Sequence, residues 1–427
     1  MDEEERQEKI RRISERVKER LKQEWPDGPM HINDIEEMAE RIGREVMHEI
    51  TTEALSEQTE PKPDNQSTCA CGAMARYRSL NSLTLVTTHG RIRVRRPYFH
   101  CAACGKGHCP LDAAWNLGPA NTTPAVQDLI AGLSALVPYV QVPAVLKRVK
   151  ARVHLGVTSI EAVAQAVGKR VEAEPPPSPT PSGRPVAAAV DGVMMPTRTG
   201  YREARCGVVY EPEWNPARTP AAEAELRKEY LGTLTSRDEL VQQVCERVER
   251  RREDPKTLVG ALGDGAAWIW EGYAKHLPHR VEILDFYHVV EHLGVAAAAR
   301  FGEGSAAAVA WVKRMKGNLL RFGPASLLRS LSEWEPGNEL ARETKRRELG
   351  YFERNQHRMH YPDYQRRGLP IGSGAVEGAC KHLVADRFKG AGMRWNSVTA
   401  EPLLRLRAAL LTHPHLDLRP YAGAAVT

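Results

Sequence analysis

The sequence predicts an α/β protein built from several domains, and three observations predict it. The proline-rich stretch Glu174-Pro-Pro-Pro-Ser-Pro-Thr-Pro-Ser-Gly183 divides the chain and reads as a semi-rigid linker. After it, short apolar runs with the look of buried strands alternate with amphipathic stretches of helical period. Before it, a segment of period two carries five of the eight cysteines.

At 427 residues the chain is too long for one ordinary core, so about two to four domains are expected. A hydrophobic content of 42% with 27% charged residues is that of a soluble globular protein. No apolar stretch reaches the length of a membrane span, and the start Met1-Asp-Glu-Glu-Glu-Arg6 does not resemble a signal peptide. A cytoplasmic, nucleoid-associated address and no membrane partner are the expectation. The formal net charge of +6 is too small to identify a nucleic-acid partner, so local clustering of basic residues has to do so.

Residues 1–60 read as a charged helical arm, with Ile10, Ile13, Val17 and Leu21 at helical spacing. A solvated helix, a partner-binding arm and a coiled-coil segment all fit. Residues 61–115 read as a zinc-ribbon-like β module. Within it Leu83-Thr-Leu-Val-Thr-Thr88, the turn His89-Gly90 and Arg91-Ile-Arg-Val-Arg95 form a hairpin between cysteine pairs. Residues 116–173 return to helical period in three pieces, broken near Pro138 and at Val153-His-Leu-Gly-Val157, which suits a helix-turn-helix-like DNA-binding region. Residues 174–185 are the linker.

Beyond it, residues 186–301 place strands at Val186–Val190, Arg205–Tyr210 and Tyr230–Thr235 before a helix at Arg237–Arg251. Strand Leu258–Leu262, helix Ala266–His276, strand Val281–Asp285 and a helix from Tyr287 follow. Three strands before the first helix, then strand and helix by turns, is the order of a ribonuclease-H-like domain. Residues 302–370 are helix-like and basic without strand signals, and read as a helical insertion. Residues 371–427 return to the core with a helix from Ala375 to Lys389, carrying Glu377 in its first turn, and a C-terminal helix.

The functional reading starts from three carboxylates. Asp191 ends the apolar run Pro185-Val-Ala-Ala-Ala-Val190, and Asp264 ends Thr257-Leu-Val-Gly-Ala-Leu262-Gly263. Both read as acids at the C-terminal lip of a buried strand, where open α/β sheets place their sites. Glu377 follows the turn Gly372-Ser-Gly374. Mg2+ takes hard oxygen ligands and keeps several waters, so a few carboxylates plus a substrate phosphate suffice. Two such ions, Mg2+ or Mn2+, drive in-line attack on a phosphodiester, which points to cleavage or transfer of nucleic-acid strands. The plainer readings are turns for the two Asp-Gly pairs and a surface ion pair of Glu377 with Lys381. Asp285 also ends a strand and competes for a role in the cluster. His288, with Glu291 and His292 on the same helix, reads as a group behind the ligands, a nucleic-acid contact or a structural histidine.

Cys101-Ala-Ala-Cys104 has the two-residue spacing that lets both thiolates reach one tetrahedral ion. Its partner Cys69-Ala-Cys71 is one residue short, and Cys109, His100 or His108 are candidate substitutes. A structural Zn2+ is expected there, while Cys206, Cys245 and Cys380 read as small buried apolar residues. Basic residues cluster at Arg91, Arg93, Arg95 and Arg96 on the hairpin, and at Lys147, Arg148, Lys150 and Arg152 in the helical region. Lys169 and Arg170 follow near its end, and Lys381, Arg387, Lys389, Arg394, Arg405 and Arg407 come after Glu377. Each is either a solvated face or a phosphate-backbone contact. Trp268 and Trp395 read as core anchors, with stacking on a base open for Trp395.

At these residues the chain resembles a bacterial insertion-sequence transposase of the ISKra type, related to the Mutator-like DDE group. The resemblance rests on Asp191-Gly-Val-Met-Met-Pro-Thr197, Leu262-Gly-Asp-Gly-Ala-Ala-Trp-Ile-Trp270 and Ile283-Leu-Asp-Phe-Tyr-His-Val-Val-Glu-His-Leu293. It continues through Leu369-Pro-Ile-Gly-Ser-Gly-Ala-Val-Glu-Gly-Ala-Cys-Lys381 and Arg387-Phe-Lys-Gly-Ala-Gly-Met-Arg-Trp395, with Arg95-Arg-Pro-Tyr-Phe-His-Cys101 upstream. It implies that Asp191, Asp264 and Glu377 are a catalytic triad holding two Mg2+, with Asp285 and His288 an acidic-x-x-His motif. It also implies binding to the terminal inverted repeats of a mobile element and to target DNA, in a homo-oligomeric synaptic complex. A full-length transposase is the expectation. A non-catalytic zinc-containing DNA-binding protein and a nuclease without strand transfer are the alternatives.

Overall fold

A run of small apolar residues, Val186-Ala-Ala-Ala-Val190, forms the centre of one sheet because both of its faces are covered and each of its residues is buried. The computed structural model describes residues 3–25, 28–59, 64–171, 185–212, 228–252 and 254–423. Of the proline-rich linker, residues 174–184 lie outside the described residues. The chain divides into two units, one of residues 1–170 with 417–427 and one of residues 171–416.

In the first unit, helices Glu3–Glu24 and Ile32–Thr59 form a helical hairpin. The charged arm is thus a paired element, held by cross-helix ion pairs such as Arg12 with Glu53 at 2.8 Å and Arg20 with Glu49 at 3.1 Å. The four-stranded antiparallel sheet runs in the order β1 (Gln66–Thr68), β2 (Met74–Thr87), β3 (Gly90–His100), β4 (Gly107–His108). Helices Pro124–Leu136, Val142–Arg148 and Val157–Arg170 complete the helical stretch, with breaks where the sequence places them. The last described residues belong here rather than to the second unit. Leu418 N donates to Asp128 Oδ1 at 2.9 Å and Gly423 N to Gln127 Oε1 at 2.8 Å, giving these residues hydrogen-bond partners on helix Pro124–Leu136.

The second unit is a mixed α/β body. Its sheet has the order β7-β6-β5-β8-β9, with β5 Val186–Thr197, β6 Gly200–Tyr210, β7 Lys228–Thr233, β8 Val259–Gly263 and β9 Val281–Leu284. β5, β6 and β7 pair antiparallel, and β8 and β9 add parallel on the other edge of β5. Helix Arg237–Arg251 starts at a Ser236 cap that accepts from Glu239 N at 3.1 Å. It lies so close to the sheet that a Cβ on Gly207 would stand 2.5 Å from Val244. Glu229 on β7, 3% exposed, holds this helix through Arg247 at 3.2 Å and Arg251 at 2.7 Å.

Helices Ala306–Phe322, Ala325–Ser332, Glu339–Asn355 and Tyr361–Arg366 fill the stretch without strands. The chain then returns through helix Gly374–Ala379, a π-helical turn at Cys380–Ala385 and a last turn at Asp386–Phe388. The π turn is bonded to the neighbouring helix Ser397–Thr412. Arg407 is buried there and donates to the carbonyls of His382 and of Leu383, the latter at 2.9 Å. Among the described residues, no helix is long and apolar enough to cross a membrane.

Candidate functional site

In the first unit, the residues between β1 and β2 and those between β3 and β4 bring Cys69, Cys71, Cys101 and Cys104 together, with all four Sγ atoms within 4.8 Å of one another. Cys69 Sγ to Cys104 Sγ and Cys71 Sγ to Cys101 Sγ are each 3.6 Å. Zinc at about 2.3 Å from each of four tetrahedral thiolates sets neighbouring sulfurs about 3.8 Å apart. The four cysteines therefore can hold a metal ion such as zinc. The short Cys69-Ala-Cys71 spacing suffices because Gly72, at φ 86, turns the chain at once and returns its N–H to Cys69 O at 2.9 Å. Gly105, at φ 70, does the same for Cys101. The Cys104 N–H leads the influences that lower the Cys101 thiol to about 7, while the Cys104 thiol, lowered by the Lys106 N–H, is raised on balance to about 11 by burial and the neighbouring thiols, so the set gives up its protons in steps. Cys109 and His108 take other places: Cys109 stands at the N-terminus of helix Pro110–Ala114, and His108 lies 3.3 Å from Ser67 Oγ and stacks on Phe99.

The second unit sets its aspartates in a row. Ala189 pairs with Leu262, and Leu262 with Ile283. Two residues beyond that common rung on three adjacent parallel strands stand Asp191, Asp264 and Asp285. Neighbouring strands lie about 4.8 Å apart, so the row is short. Asp191 does not end its strand, as the sequence suggests. β5 runs on to Thr197 because β6 continues to pair with it, Asp191 opposite Cys206, so Asp191-Gly192 is not a turn. It is β8 that stops, leaving Asp191 overhanging its end. Asp264 closes a tight turn by accepting from Ala266 N at 2.8 Å, with Gly265 at φ 103.

Asp191 feels its neighbours. Burial first, and the charges of Asp264 and Asp285 after it, raise its carboxyl to about 6 against the Gly192 N–H and His288, which pull it down. Carboxylates held against their own repulsion are what a bound cation relieves. Glu377 is exposed on helix Gly374–Ala379, one turn before Cys380, whose Sγ donates to Asp191 Oδ2 at 3.9 Å. The acids are not drawn as close as the thiols. Among the described residues, the cysteine set is the only group of three or more candidate ligands with every ligand atom within 4.8 Å of the others.

Asp285, grouped by the sequence with the catalytic acids, has both oxygens engaged. Oδ1 accepts from Tyr287 N at 2.9 Å and Ser373 N at 3.2 Å, and Oδ2 accepts from Ser373 Oγ. With Phe286 N donating to Ile371 O at 2.9 Å, it caps its own helix and fastens the turn that starts the Glu377 helix. His288, in the first turn of helix Phe286–Phe301, is half-buried, with Nδ1 3.2 Å from Glu291 and its ring edge-on to His292 at 4.9 Å.

Of the basic residues, Arg91, Arg93 and Arg95 are exposed and alternate with buried Ile92 and Val94, giving β3 one basic face. Arg96 is instead tied to Asp112, with Nη2 at 2.9 Å from Oδ2. Lys169 is exposed and Arg170 half-buried. Lys381, Lys389 and Arg394 are exposed, but Arg387 is not available to a phosphate: it is 2% exposed, its guanidinium 5.1 Å from the Trp395 ring. Each residue of an α-helix advances about 100°, so the extra residue of the π turn swings the following side chains and sends Arg387 inward. Trp395 is half-buried against Phe388, its Nε1 donating to Phe388 O at 3.0 Å. Arg387→Ala should therefore cost about 2–4 kcal/mol of stability in denaturant unfolding, as removal of a large buried side chain does. Lys389→Ala should stay within about 0.5 kcal/mol of the parent.

The sequence reading missed three partners of the aspartates: Cys380 beside Asp191, Ser373 on Asp285, and Tyr351, whose hydroxyl donates to Asp264 O at 2.8 Å. The place of Cys380 one turn after Glu377 was the only sequence signal for any of them. No protein-family model matches the chain, and no curated protein matches it.

Proposed function

We propose that the chain is a DDE transposase with a ribonuclease-H-like catalytic domain, binding the ends of a mobile DNA element and catalysing metal-dependent strand cleavage and strand transfer. The observation that carries this reading is the shared register level of Asp191, Asp264 and Asp285, with the Glu377 helix fastened to that row through Ser373 and Cys380. The sheet adds support, since an antiparallel β5-β6-β7 meander followed by two parallel strands is the order on which the ribonuclease-H-like reading rests.

Asp191, Asp264 and Glu377 would hold two divalent ions, Mg2+ or Mn2+, whose Lewis acidity activates a water or a 3′-hydroxyl and stabilises the departing oxygen. The donor set fits: all hard oxygens, one with a raised pKa, and one exposed on a short helix. Asp285 keeps the Glu377 helix against the strand ends. Lys381, Lys389 and Arg394 take phosphates beside the acids, and the β3 arginines with Lys169 and Arg170 of a helix-turn-helix-like region take phosphates in the first unit. The protein would act on terminal inverted repeats as a homo-oligomer, and the cysteine set, holding Zn2+, would stiffen its module.

Divalent-ion affinity should rise with pH. The raised folded pKa means that the folded chain without metal holds a proton on Asp191 more tightly than the unfolded chain does. That stabilises it below the ordinary value of 3.8 and is lost as pH climbs through about 6. The shift corresponds to roughly 3 kcal/mol. Metal must displace that proton, so Mn2+ should bind more tightly at pH 7.5 than at pH 5 in a calorimetric titration. Equal affinity at both would remove Asp191 from the ligand set.

The closure of the thiols alone to coordination distance favours a second reading, a zinc-containing DNA-binding protein without catalysis. Incubation of the purified chain with supercoiled DNA carrying element ends and Mg2+ decides between them. Strand breaks at the ends and joined products are expected. Ends bound but never cut would leave the binding protein, and cuts without joining would leave a nuclease.

A further inference from the structure

We infer that Tyr351, on the helical segment inserted before Glu377, is a positioning residue for Asp264: it fixes the main chain of the Asp264–Gly265 turn and so the direction of that carboxylate. The inference rests on the metal-dependent reading above. Tyr351 OH donates to the Asp264 carbonyl at 2.8 Å, while Asp264 Oδ1 accepts from Ala266 N at 2.8 Å. The turn is thus held from outside by the tyrosine and from inside by the aspartate itself. The ring also covers the turn at contact distance. A Cβ on Gly265 would stand 2.8 Å from it, and Gly265 at φ 103 has a backbone that other residues rarely adopt.

The tyrosine is itself held in place. Its ring stacks on His292 with centroids 3.8 Å apart and planes at 14°, and His292 Nδ1 lies 2.5 Å from Glu348 Oε2. Glu348 is 1% exposed and one helical turn before Tyr351, and Arg347 Nε donates to its other oxygen at 2.8 Å. A buried carboxylate, an imidazole and a phenol therefore form a chain from helix Glu339–Asn355 through helix Phe286–Phe301 to the Asp264 turn. The helical segment is then part of the apparatus that aims the carboxylate.

Mn2+ titration of the full chain by calorimetry tests this with three proteins: parent, Tyr351→Phe and Asp264→Asn. Phenylalanine keeps the stack on His292 and the cover over Gly265, so the metal-free melting temperature should hold. Losing one hydrogen bond to a main-chain carbonyl should weaken Mn2+ about fivefold to tenfold. Cleavage at limiting Mn2+ should slow by a similar factor, with KM for DNA unchanged and the rate restored at saturating Mn2+. Parental Mn2+ affinity in Tyr351→Phe alongside weakened binding in Asp264→Asn would overturn the inference and leave Tyr351 a packing residue. Parental affinity in Asp264→Asn would overturn the metal reading itself, and this inference with it.

Discussion

Asp264→Asn is expected to abolish strand cleavage while leaving DNA binding and folding intact. The amide keeps an oxygen that can accept from Ala266 N, the 2.8 Å bond that shapes the turn, so geometry survives. What disappears is one negative charge beside Asp191 and Asp285. Metal-ion catalysis supplies several kcal/mol of charge stabilisation, so losing a ligand should slow cleavage about a thousandfold or more at 1.36 kcal/mol per factor of ten. The metal-free protein should show the opposite effect on stability. With one repelling charge gone, its melting temperature should stay level or rise, and the increase on adding Mn2+ should shrink. A variant that cleaves at the parental rate would place the chemistry elsewhere.

Cys101→Ser is expected to have the largest effect on the first unit. Cys101 is fully buried in a cluster with Cys69, Ala75 and Phe99, so little besides the cysteines holds this end of the sheet together. Structural zinc contributes on the order of 10 kcal/mol to small domains that fold around it. Loss of one thiolate should release bound zinc and expose the amides of Thr68–Cys109 to rapid hydrogen exchange. Cys109→Ser should retain both zinc and protection, because Cys109 stands at a helix N-terminus and is not one of the four. Equal zinc content in parent and Cys101→Ser would show that the thiols meet without serving an ion.

The order of strands and helices was legible because it rests on local signals. The period-two run of the β3 hairpin and the breaks at Pro138 and Gly156 are each set by adjacent residues. What depends on register was not legible. Nothing near Asp191 in sequence reveals that β6 pairs past it, that Cys206 lies opposite, or that a buried Arg407 bonds to the carbonyls of a π turn beyond which Arg387 is buried. Asp285 illustrates the same limit. The Asp-Phe-Tyr-His motif marks it as a special acid, but its partner Ser373 is remote in the chain, and only the fold shows that it fastens the Glu377 helix. The charged N-terminal arm was legible as helix and not as a hairpin, because its ion pairs join two helices across a turn.

Anomalous diffraction from a crystal of the chain soaked in Mn2+ would locate the cations without reference to activity. Manganese peaks bridging Asp191 to Asp264, with Glu377 drawn in from its exposed position, are the expected result. Soaked crystals that show no manganese within coordination distance of Asp191 would contradict the role given to the whole row of acids.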